Sequence, residues 1–342
     1  MIPTHFRANF LICMALVCVL AACSDQRAAE YQLSGSTMGT SFSVTVVTEL
    51  AFDQQHLQAQ IIATLEDVEQ RMSTYRRNSE LSQFNHSSST DWTPVSRELC
   101  EAVDEAIEFG DLTDGAFDIT VGSLVNLWGF GPDDSRKEPP SADAIDATML
   151  ATGREYLHAD CEVPAIRKDR AKLYIDLSAY AKGLAADVIA ALLDNENIAN
   201  YLVEIGGDLR ARGHNASNAK WRIAIERPDQ PGNAVEKIIH VHDLSVATSG
   251  DYRNFFEFEG RRYSHTIDPR TGRPVTHDLA SVTVLGESAA FADAMATALM
   301  VLGPEAGMAF AEREGIAADM LLRDGRSITE HMSTEFRSLT NP

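Results

Sequence analysis

The sequence is short of positive charge. Its 342 residues include 29 lysines and arginines against 50 aspartates and glutamates, and the formal net charge is −21. It has no basic stripe of the kind that binds nucleic-acid phosphates, so we exclude nucleic acid as a partner. We interpret the acidity as a soluble, self-repelling surface, with a role in choosing a partner as the alternative.

Several common ligand-binding and catalytic motifs are also missing. The sequence contains no G-x-G-x-x-G after a predicted strand, no P-loop, no G-x-S-x-G and no C-x-x-C. A dinucleotide, if one binds, is therefore held by some other arrangement than these.

Long apolar runs are scarce. The longest, at residues 10–20, is too short to span a bilayer comfortably and leads into Leu-Ala-Ala-Cys at 20–23. A cysteine directly after small residues resembles a bacterial lipobox. We predict a lipoprotein signal peptide at 1–22, a lipidated Cys23 with a spacer at 23–30, and anchoring on the periplasmic side of a bacterial membrane. An ordinary signal peptide with a chance cysteine is the alternative.

Cysteine is rare, with five residues in the whole chain. Cys13 and Cys18 leave with the predicted signal peptide, and Cys23 carries the lipid. Cys100 and Cys161 remain in a compartment that permits disulfides. Their spacing does not decide between a disulfide and two buried thiols, and we favour the thiols. No pair has metal-ligand spacing.

The rest of the chain interleaves helical and strand patterns. Helices are expected at 57–72, after Ser96, at 178–194 and at 288–301. Strands are expected at 41–48, 172–176, 201–205, 209–212, 221–226, 238–247, 254–263 and 280–285. Hairpins dominate the second half, which favours one α+β domain over 31–340 with mostly antiparallel sheets and packed helices. We interpret the polar, proline-rich segment 130–140 as a surface loop.

Two stretches carry residues suited to phosphate chemistry. Asp293 and Thr297 are four apart on a predicted helix and share a face, and their oxygens are the hard ligands that Mg²⁺ prefers. Asp176 ends a predicted strand just before a helix whose N–H groups could face an anion, with Lys182 one turn in. Each stretch, considered alone, also fits an ordinary helix. In the stretch that follows Asp176, Ser178 would then be the N-cap.

Nine short segments in order resemble the ApbE family of flavin transferases, the FAD:protein FMN transferases. They are GSTMGT (35–40), MSTY (72–75), TDGAFD (113–118), LWGFG (127–131), DLSAYAKG (176–183), GGD (206–208), SGDY (249–252), HTIDPRTG (265–272) and ADAMATALMVL (292–302). The resemblance extends over nearly the whole chain after the predicted signal peptide, and it implies an ApbE-like fold.

The resemblance implies Mg²⁺-dependent transfer of the FMN half of FAD to a serine or threonine hydroxyl of an acceptor protein, with release of AMP. The implied acceptor is an exported redox protein, such as a subunit of a sodium-pumping or ferredoxin-linked membrane complex. An FAD pyrophosphatase, with water in place of the hydroxyl, is one alternative. A non-catalytic FAD-binding lipoprotein is another.

The resemblance also implies the site residues. The metal ligands are Asp293, Thr297 and the carbonyl of Ala179, where many relatives have glycine. The FAD contacts are Met38, Tyr75, Asp118, Asp176, Lys182, His265 and Ile267. Asp293 and His265 are the catalytic residues, and His265 orients the pyrophosphate or takes the proton of the incoming hydroxyl.

Each of these assignments has a structural alternative. Met38 and Tyr75 suit core positions, Asp118 suits a turn, and His265 suits a structural role. The stiff Asp268-Pro269 corner that follows His265 would fix the direction of its ring. Arg270 and Arg273 are interpreted as solvated turn residues outside the site.

Overall fold

The computed structural model describes residues 28–49, 52–132, 138–230, 234–252, 254–325 and 327–340. The predicted signal peptide and Cys23 lie outside these ranges. Among the described residues, no helix combines the length and the apolar character needed to cross a membrane.

Nine α-helices are formed by the described residues. They are α1 (Gln54–Met72), α2 (Glu80–His86), α3 (Arg97–Leu112), α4 (Gly122–Leu127), α5 (Ala142–Met149), α6 (Ala181–Asn195), α7 (Ala289–Leu302), α8 (Pro304–Glu314) and α9 (Thr334–Thr340). Side-chain caps start several of them: Ser96 Oγ accepts from the N–H of Leu99 at α3, and Ser288 Oγ accepts from that of Phe291 at α7. Both caps confirm the sequence prediction.

The strands of the described residues number seventeen. They are β1 (Ala29–Thr37), β2 (Thr40–Thr48), β3 (Thr93–Pro94), β4 (Leu157–Asp160), β5 (Ala165–Lys168), β6 (Asn200–Ile205), β7 (Asp208–Arg212), β8 (Trp221–Glu226), β9 (Val235–Val241), β10 (Ser245–Gly250), β11 (Phe255–Phe258), β12 (Arg261–Ser264), β13 (Ile267–Asp268), β14 (Arg273–Pro274), β15 (Leu279–Gly286), β16 (Ala317–Asp324) and β17 (Ser327–Met332).

Eight strands form one sheet in the order β1-β2-β6-β7-β10-β15-β16-β17, and every neighbouring pair is antiparallel. Alternation in β2 sends Phe42, Val44 and Val46 to one face, where they pack with buried residues of the helices. Val47 points to the other face and packs with the β8–β9 hairpin and α9. The α+β prediction with mostly antiparallel sheets is confirmed.

Helices α6 and α7 touch at the backbone in front of this sheet. A Cβ on Gly183 would lie 2.2 Å from the carbonyl oxygen of Ala289, so only glycine permits this approach. Asp187 of α6 then accepts hydrogen bonds from the N–H groups of Ala289 and Ala290 at 3.0 and 2.9 Å. The two helix starts are thus fixed to each other.

Some sequence predictions were wrong in detail. Residues 172–176 are not a strand, because the backbone of Ile175 bonds to the side-chain amide of Asn85 instead of to a neighbouring strand. The expected strand 238–247 is two strands with Asp243 between them at φ 51°. The expected strand 254–263 is the β11–β12 hairpin, which turns at Glu259 and Gly260.

Cys100 and Cys161 form a disulfide, with their Cα atoms 5.7 Å apart. The expectation of two thiols is therefore wrong. The two residues are brought together because α3 packs against the β4–β5 hairpin, and Arg97 of α3 donates a hydrogen bond of 2.8 Å to the carbonyl of Cys161. Sequence spacing carried no information about this contact.

Candidate functional site

A cavity of about 970 Å³ opens where the β6–β7 turn, the start of α6, the face of α7 and the end of β10 meet. This volume is at the upper end of the usual range for small-molecule sites, about 300–1,000 Å³. Nine of the ten residues predicted for the site line it: Tyr75, Asp118, Asp176, Ala179, Lys182, His265, Ile267, Asp293 and Thr297. The structure therefore brings together residues that are up to 222 positions apart in sequence, from Tyr75 to Thr297.

Met38 is the predicted residue that does not line the cavity. It lies in the β1–β2 turn at φ 50°, followed by Gly39 at φ 69°. Its backbone N–H donates to Glu69 Oε1 at 2.7 Å, and its side chain packs against the main core. The structure thus gives Met38 a turn and packing position outside the lining of the cavity.

Lys182 lies between two carboxylates at the cavity wall. Its Nζ is 2.7 Å from Asp208 Oδ2 and 3.0 Å from Asp293 Oδ2. Burial alone would lower the pKa of Lys182, but the charges of Asp208 and Asp293 outweigh it and raise that pKa above its usual range. The lysine is therefore charged at every physiological pH.

Asp208 is a site residue that sequence reasoning missed. Its glycine-rich turn indicated an ordinary hairpin, and nothing in the sequence shows that this turn meets α7. The side chain is 3% exposed, and burial followed by the charge of Asp293 raises its pKa above the usual range of a carboxyl group. Two acids thus share one ammonium ion, and one of them, Asp293, lies at the cavity wall.

The donor set fits Mg²⁺. In the part of the chain that the structure describes, no three histidine, cysteine, aspartate or glutamate side chains gather as in a transition-metal site. The cavity wall instead offers hard oxygens from Asp293 and Thr297, beside the Ala179 backbone. The buried Asp208 lies behind them and shares the Lys182 ammonium with Asp293. The two carboxylates already hold one cation, the Lys182 ammonium. Mg²⁺ favours such oxygens and keeps waters or phosphates in its other positions.

The loop before α6 is held from both ends. Asp176 Oδ1 accepts from the backbone N–H of Ser178 at 2.9 Å and from its hydroxyl at 2.5 Å. Ser178 therefore closes a turn, and the expectation that it caps the helix was wrong, since α6 begins at Ala181. Tyr180 is buried, and its hydroxyl donates to Glu105 of α3. These contacts fix Ala179 at the cavity wall.

A buried lysine supports the same loop from behind. Lys168 is 0% exposed and donates to the carbonyls of Phe84, Asn85 and Leu173 at 3.1, 3.2 and 3.1 Å. Burial lowers the pKa of Lys168 to about 8. This ammonium joins the end of α2 to the segment that leads to Asp176.

His265 lines the cavity at the end of the β11–β12 hairpin. Its Nδ1 lies 3.0 Å from the carbonyl oxygen of Asn254, which accepts the ring proton there, so Nε2 keeps a lone pair. Burial lowers the pKa of His265 below its ordinary value of 6.5. The neutral ring is thus the stable form near neutral pH, and it can accept a proton at Nε2.

An aspartate, Asp118, and an aromatic residue, Tyr75, also line the cavity. Asp118 is buried, and it accepts from the N–H and hydroxyl of Thr120 at 2.8 and 2.7 Å and from the N–H of Arg154 at 3.2 Å. Burial raises the pKa of Asp118. Tyr75 stands at the mouth with 66% exposure, and partial burial followed by the charge of Asp176 raises its pKa. An exposed aromatic face beside an apolar-walled cavity can stack on a flat ring.

Known proteins resemble this chain over nearly its whole length. The ApbE family matches residues 38–320. The FAD:protein FMN transferase of Vibrio cholerae is 44% identical over 330 residues, covering 96% of this chain and 98% of that protein. The protein of the same name from Escherichia coli K12 is 42% identical over 308 residues, covering 90% and 88%.

Solved structures also resemble this chain over most of its length. The flavin transferase ApbE from Vibrio cholerae superposes with a TM-score of 0.85 at 44% identity, covering 91% of this chain and 99% of that one. The ApbE protein from Thermotoga maritima gives a TM-score of 0.82 at 29% identity, covering 92% and 100%. The Vibrio cholerae and Escherichia coli relatives, at 44% and 42% identity, are named as transferases, so the chain is an enzyme. By its fold, its cavity and these matches, the chain belongs to the ApbE family.

Proposed function

We propose that the chain transfers FMN from FAD to a serine or threonine hydroxyl of an acceptor protein and releases AMP. The acceptor is an exported redox protein, such as a subunit of a sodium-pumping or ferredoxin-linked membrane complex. The observation that carries the proposal is the ion pair of Lys182 with Asp293, on the wall of a cavity large enough for a dinucleotide, with the buried Asp208 as the second partner of Lys182.

Asp293, Thr297 and the carbonyl of Ala179 would hold Mg²⁺, with Asp208 beside them. When bound, the ion supplies Lewis-acid stabilisation of charge on phosphate oxygens, worth several kcal/mol of barrier. Lys182 points its ammonium group into the same space and can donate to a phosphate oxygen. Its three N–H bonds allow it to keep one carboxylate while it does so.

His265 is the proposed base. Its neutral ring can take the proton of the acceptor hydroxyl at Nε2 while Nδ1–H stays bonded to Asn254. The hydroxyl oxygen forms a bond to the phosphorus of the FMN half, and the bond from that phosphorus to the bridging oxygen breaks. The electron pair leaves with AMP, and the proton passes from His265 to AMP phosphate or to water.

The remaining lining residues would bind the substrate. Tyr75 offers its exposed ring for stacking against the flavin or its edge, and Ile267 adds apolar wall beside His265. Asp118 and Asp176 offer carboxylate oxygens to hydroxyl and amino groups of the nucleotide. Both carboxylates keep local partners, which fixes their orientation before substrate arrives.

We also propose that a lipid on Cys23 holds the enzyme on the periplasmic side of a bacterial membrane. The support is the apolar run at 10–20 and the Leu-Ala-Ala-Cys that follows it. Metabolic labelling with a radioactive fatty acid tests this, with Cys23→Ser as the control. Label that persists in the variant contradicts the anchor.

One assay tests the reaction. The full chain is incubated with FAD, MgCl₂ and a recombinant acceptor domain, and the denatured acceptor is examined for flavin fluorescence in the gel. We expect a fluorescent acceptor and equimolar AMP. Free FMN and AMP without a labelled acceptor would indicate a pyrophosphatase. Unchanged FAD that stays bound would indicate a binding protein.

A further inference from the structure

A second cavity of about 450 Å³ lies beside the first. The β13–β14 hairpin contributes to both, with Ile267 in the first and Asp268 and Arg273 in the second. Val301 of α7 lines both cavities as well. The two cavities are therefore neighbours that share part of a wall.

Three arginines line this second cavity: Arg261, Arg262 and Arg273. Arg261 and Arg273 are exposed, and neither forms an ion pair with any described residue. Arg262 donates to the backbone carbonyl of Asp251 at 2.6 Å, while its buried Nε has no acceptor among the described groups. The cavity therefore presents cationic groups that form no ion pair with the part of the chain that the structure describes.

The nearby carboxylates do not cancel this charge. Asp268 is held by Arg270 at 2.9 and 3.0 Å, and Asp251 is held by Arg323 at 2.8 and 2.5 Å. Glu257 faces Arg262 across the β11–β12 register, and it balances one guanidinium at most. Among the described residues that line the cavity, an excess of positive charge therefore remains, in a protein whose formal net charge is −21.

The cavity walls suit a polypeptide. Tyr263 and Pro139 are partly exposed there, and Tyr263 stacks on the buried Trp128 with ring centroids 5.7 Å apart. Pro140 and Pro274 are buried in the same wall. Aromatic and proline surfaces pack well against an extended chain, while arginines at the rim select its charge. An anionic membrane would be repelled by the rest of the acidic surface, so a local acidic segment fits better than a lipid layer.

We propose that this second cavity, lined by Arg261, Arg262 and Arg273, binds an acidic stretch of the acceptor polypeptide and guides the neighbouring hydroxyl to the reaction cavity. The identity of the segment as part of the acceptor rests on the proposed transferase function. Arg273, which the sequence indicated to be a solvated turn residue, thereby gains a role that such a residue would not have.

Binding of a fluorescein-labelled hexaglutamate peptide to the full chain, measured by anisotropy at low salt, tests the proposal. The double variant Arg261→Gln/Arg273→Gln should bind the peptide about five-fold more weakly, since two exposed ion pairs are each worth about 0.5 kcal/mol. The matched control is Arg313→Gln/Arg337→Gln, which removes the same charge from α8 and α9, away from both cavities. It should bind as the wild type does, and a hexaglutamine peptide should not bind.

In the transfer reaction, the Arg261→Gln/Arg273→Gln variant should raise KM for the acceptor about five-fold and leave kcat and FAD affinity unchanged. Equal losses in the control variant would overturn the proposal. So would displacement of the peptide by inorganic phosphate at matched ionic strength, which indicates a small-anion site. Binding to phosphatidylglycerol vesicles that depends on Arg261 and Arg273, without binding of the peptide, would also overturn it.

Failure of the proposed function gives a different pattern. A wild-type chain that neither binds FAD nor labels an acceptor contradicts the transferase reaction, whatever the peptide does. Wild-type transfer with unchanged KM in the Arg261→Gln/Arg273→Gln variant contradicts only the docking role.

Discussion

The ammonium group of Lys182 lies 3.0 Å from Oδ2 of Asp293, and the same oxygen accepts from the backbone N–H of Gly183 at 3.3 Å. Asp293 thereby joins the first turn of α6 to the middle of α7. One carboxylate both ties two helices together and faces the cavity, so its removal should affect catalysis more than folding.

We expect Asp293→Asn to lower kcat about 100-fold or more, since the loss of one carboxylate ligand removes about 3 kcal/mol of stabilisation. Asparagine keeps an oxygen for Gly183, and Lys182 keeps Asp208, so the fold should survive. FMN transfer measured across a MgCl₂ titration checks this. Wild-type kcat at every magnesium concentration would remove Asp293 from the mechanism.

Asp187→Ala is the matched control for that variant. Its carboxylate accepts from the Ser288 hydroxyl and from the N–H groups of Ala289 and Ala290 at 2.9, 3.0 and 2.9 Å. Its loss should lower the free energy of unfolding by about 1 kcal/mol, as for other helix caps. The magnesium dependence should stay as in the wild type, which separates a structural carboxylate from a ligand.

The pH dependence of kcat/KM should reflect the protonation of His265. Its pKa lies below 6.5 because burial disfavours the charged ring, so kcat/KM should rise with pH through that pKa and stay level above it. His265→Gln should lower kcat/KM about 100-fold and abolish this acid limb, as expected for a general base. An acid limb that persists unchanged in the variant would assign it to another group.

Sequence periodicity predicted many elements because side-chain alternation is local. The strand at 221–226 and the helix from Ala289 are examples. Local periodicity could not predict that Asp208 belongs to the site, because its neighbour Asp293 is 85 positions away in the sequence. A glycine-rich turn has the same sequence whether it faces solvent or a helix.

The prediction of a strand at 172–176 was wrong for a related reason. Their apolar alternation fits a strand, but the partner of Ile175 is the side chain of Asn85 and not a backbone. Lys168 illustrates the other limit, because the charge of a lysine predicts exposure to solvent, whereas this one lies on the same face of β5 as the buried Ile166. Its burial depends on three carbonyls that other segments bring to it.

Lys168 should make stability depend on pH. Its folded pKa of about 8 is below the ordinary value of 10.5, so the folded chain releases its proton first. The wild type should therefore gain stability relative to Lys168→Met as pH rises from about 8 to 10.5, and lose that gain as pH falls through 8. Urea unfolding of both proteins at several pH values measures the difference. A constant difference across this range would contradict the lowered pKa.

Gly183→Ala tests the contact of α6 with α7. The added Cβ would lie 2.2 Å from the carbonyl oxygen of Ala289 and 2.8 Å from the Cα of Ala290, and backbone cannot turn aside as a side chain can. We expect the free energy of unfolding to fall by about 3 kcal/mol, the upper range for overpacking. Gly207→Ala is the control, because no atom lies within 4 Å of a Cβ there. It should lose about 1 kcal/mol from its positive φ alone, and equal losses would contradict the contact.

The disulfide should contribute stability without contributing to catalysis. It closes a segment of 61 residues between Cys100 and Cys161, and neither residue lines either cavity. The chain-entropy account predicts a loss of about 4 kcal/mol in the free energy of unfolding for Cys100→Ala/Cys161→Ala. Guanidinium unfolding of the oxidised wild type, the reduced wild type and the double variant checks this. Since α3 also carries Glu105, which holds Tyr180, a fall in kcat on reduction at unchanged stability would show instead that the bridge positions the site.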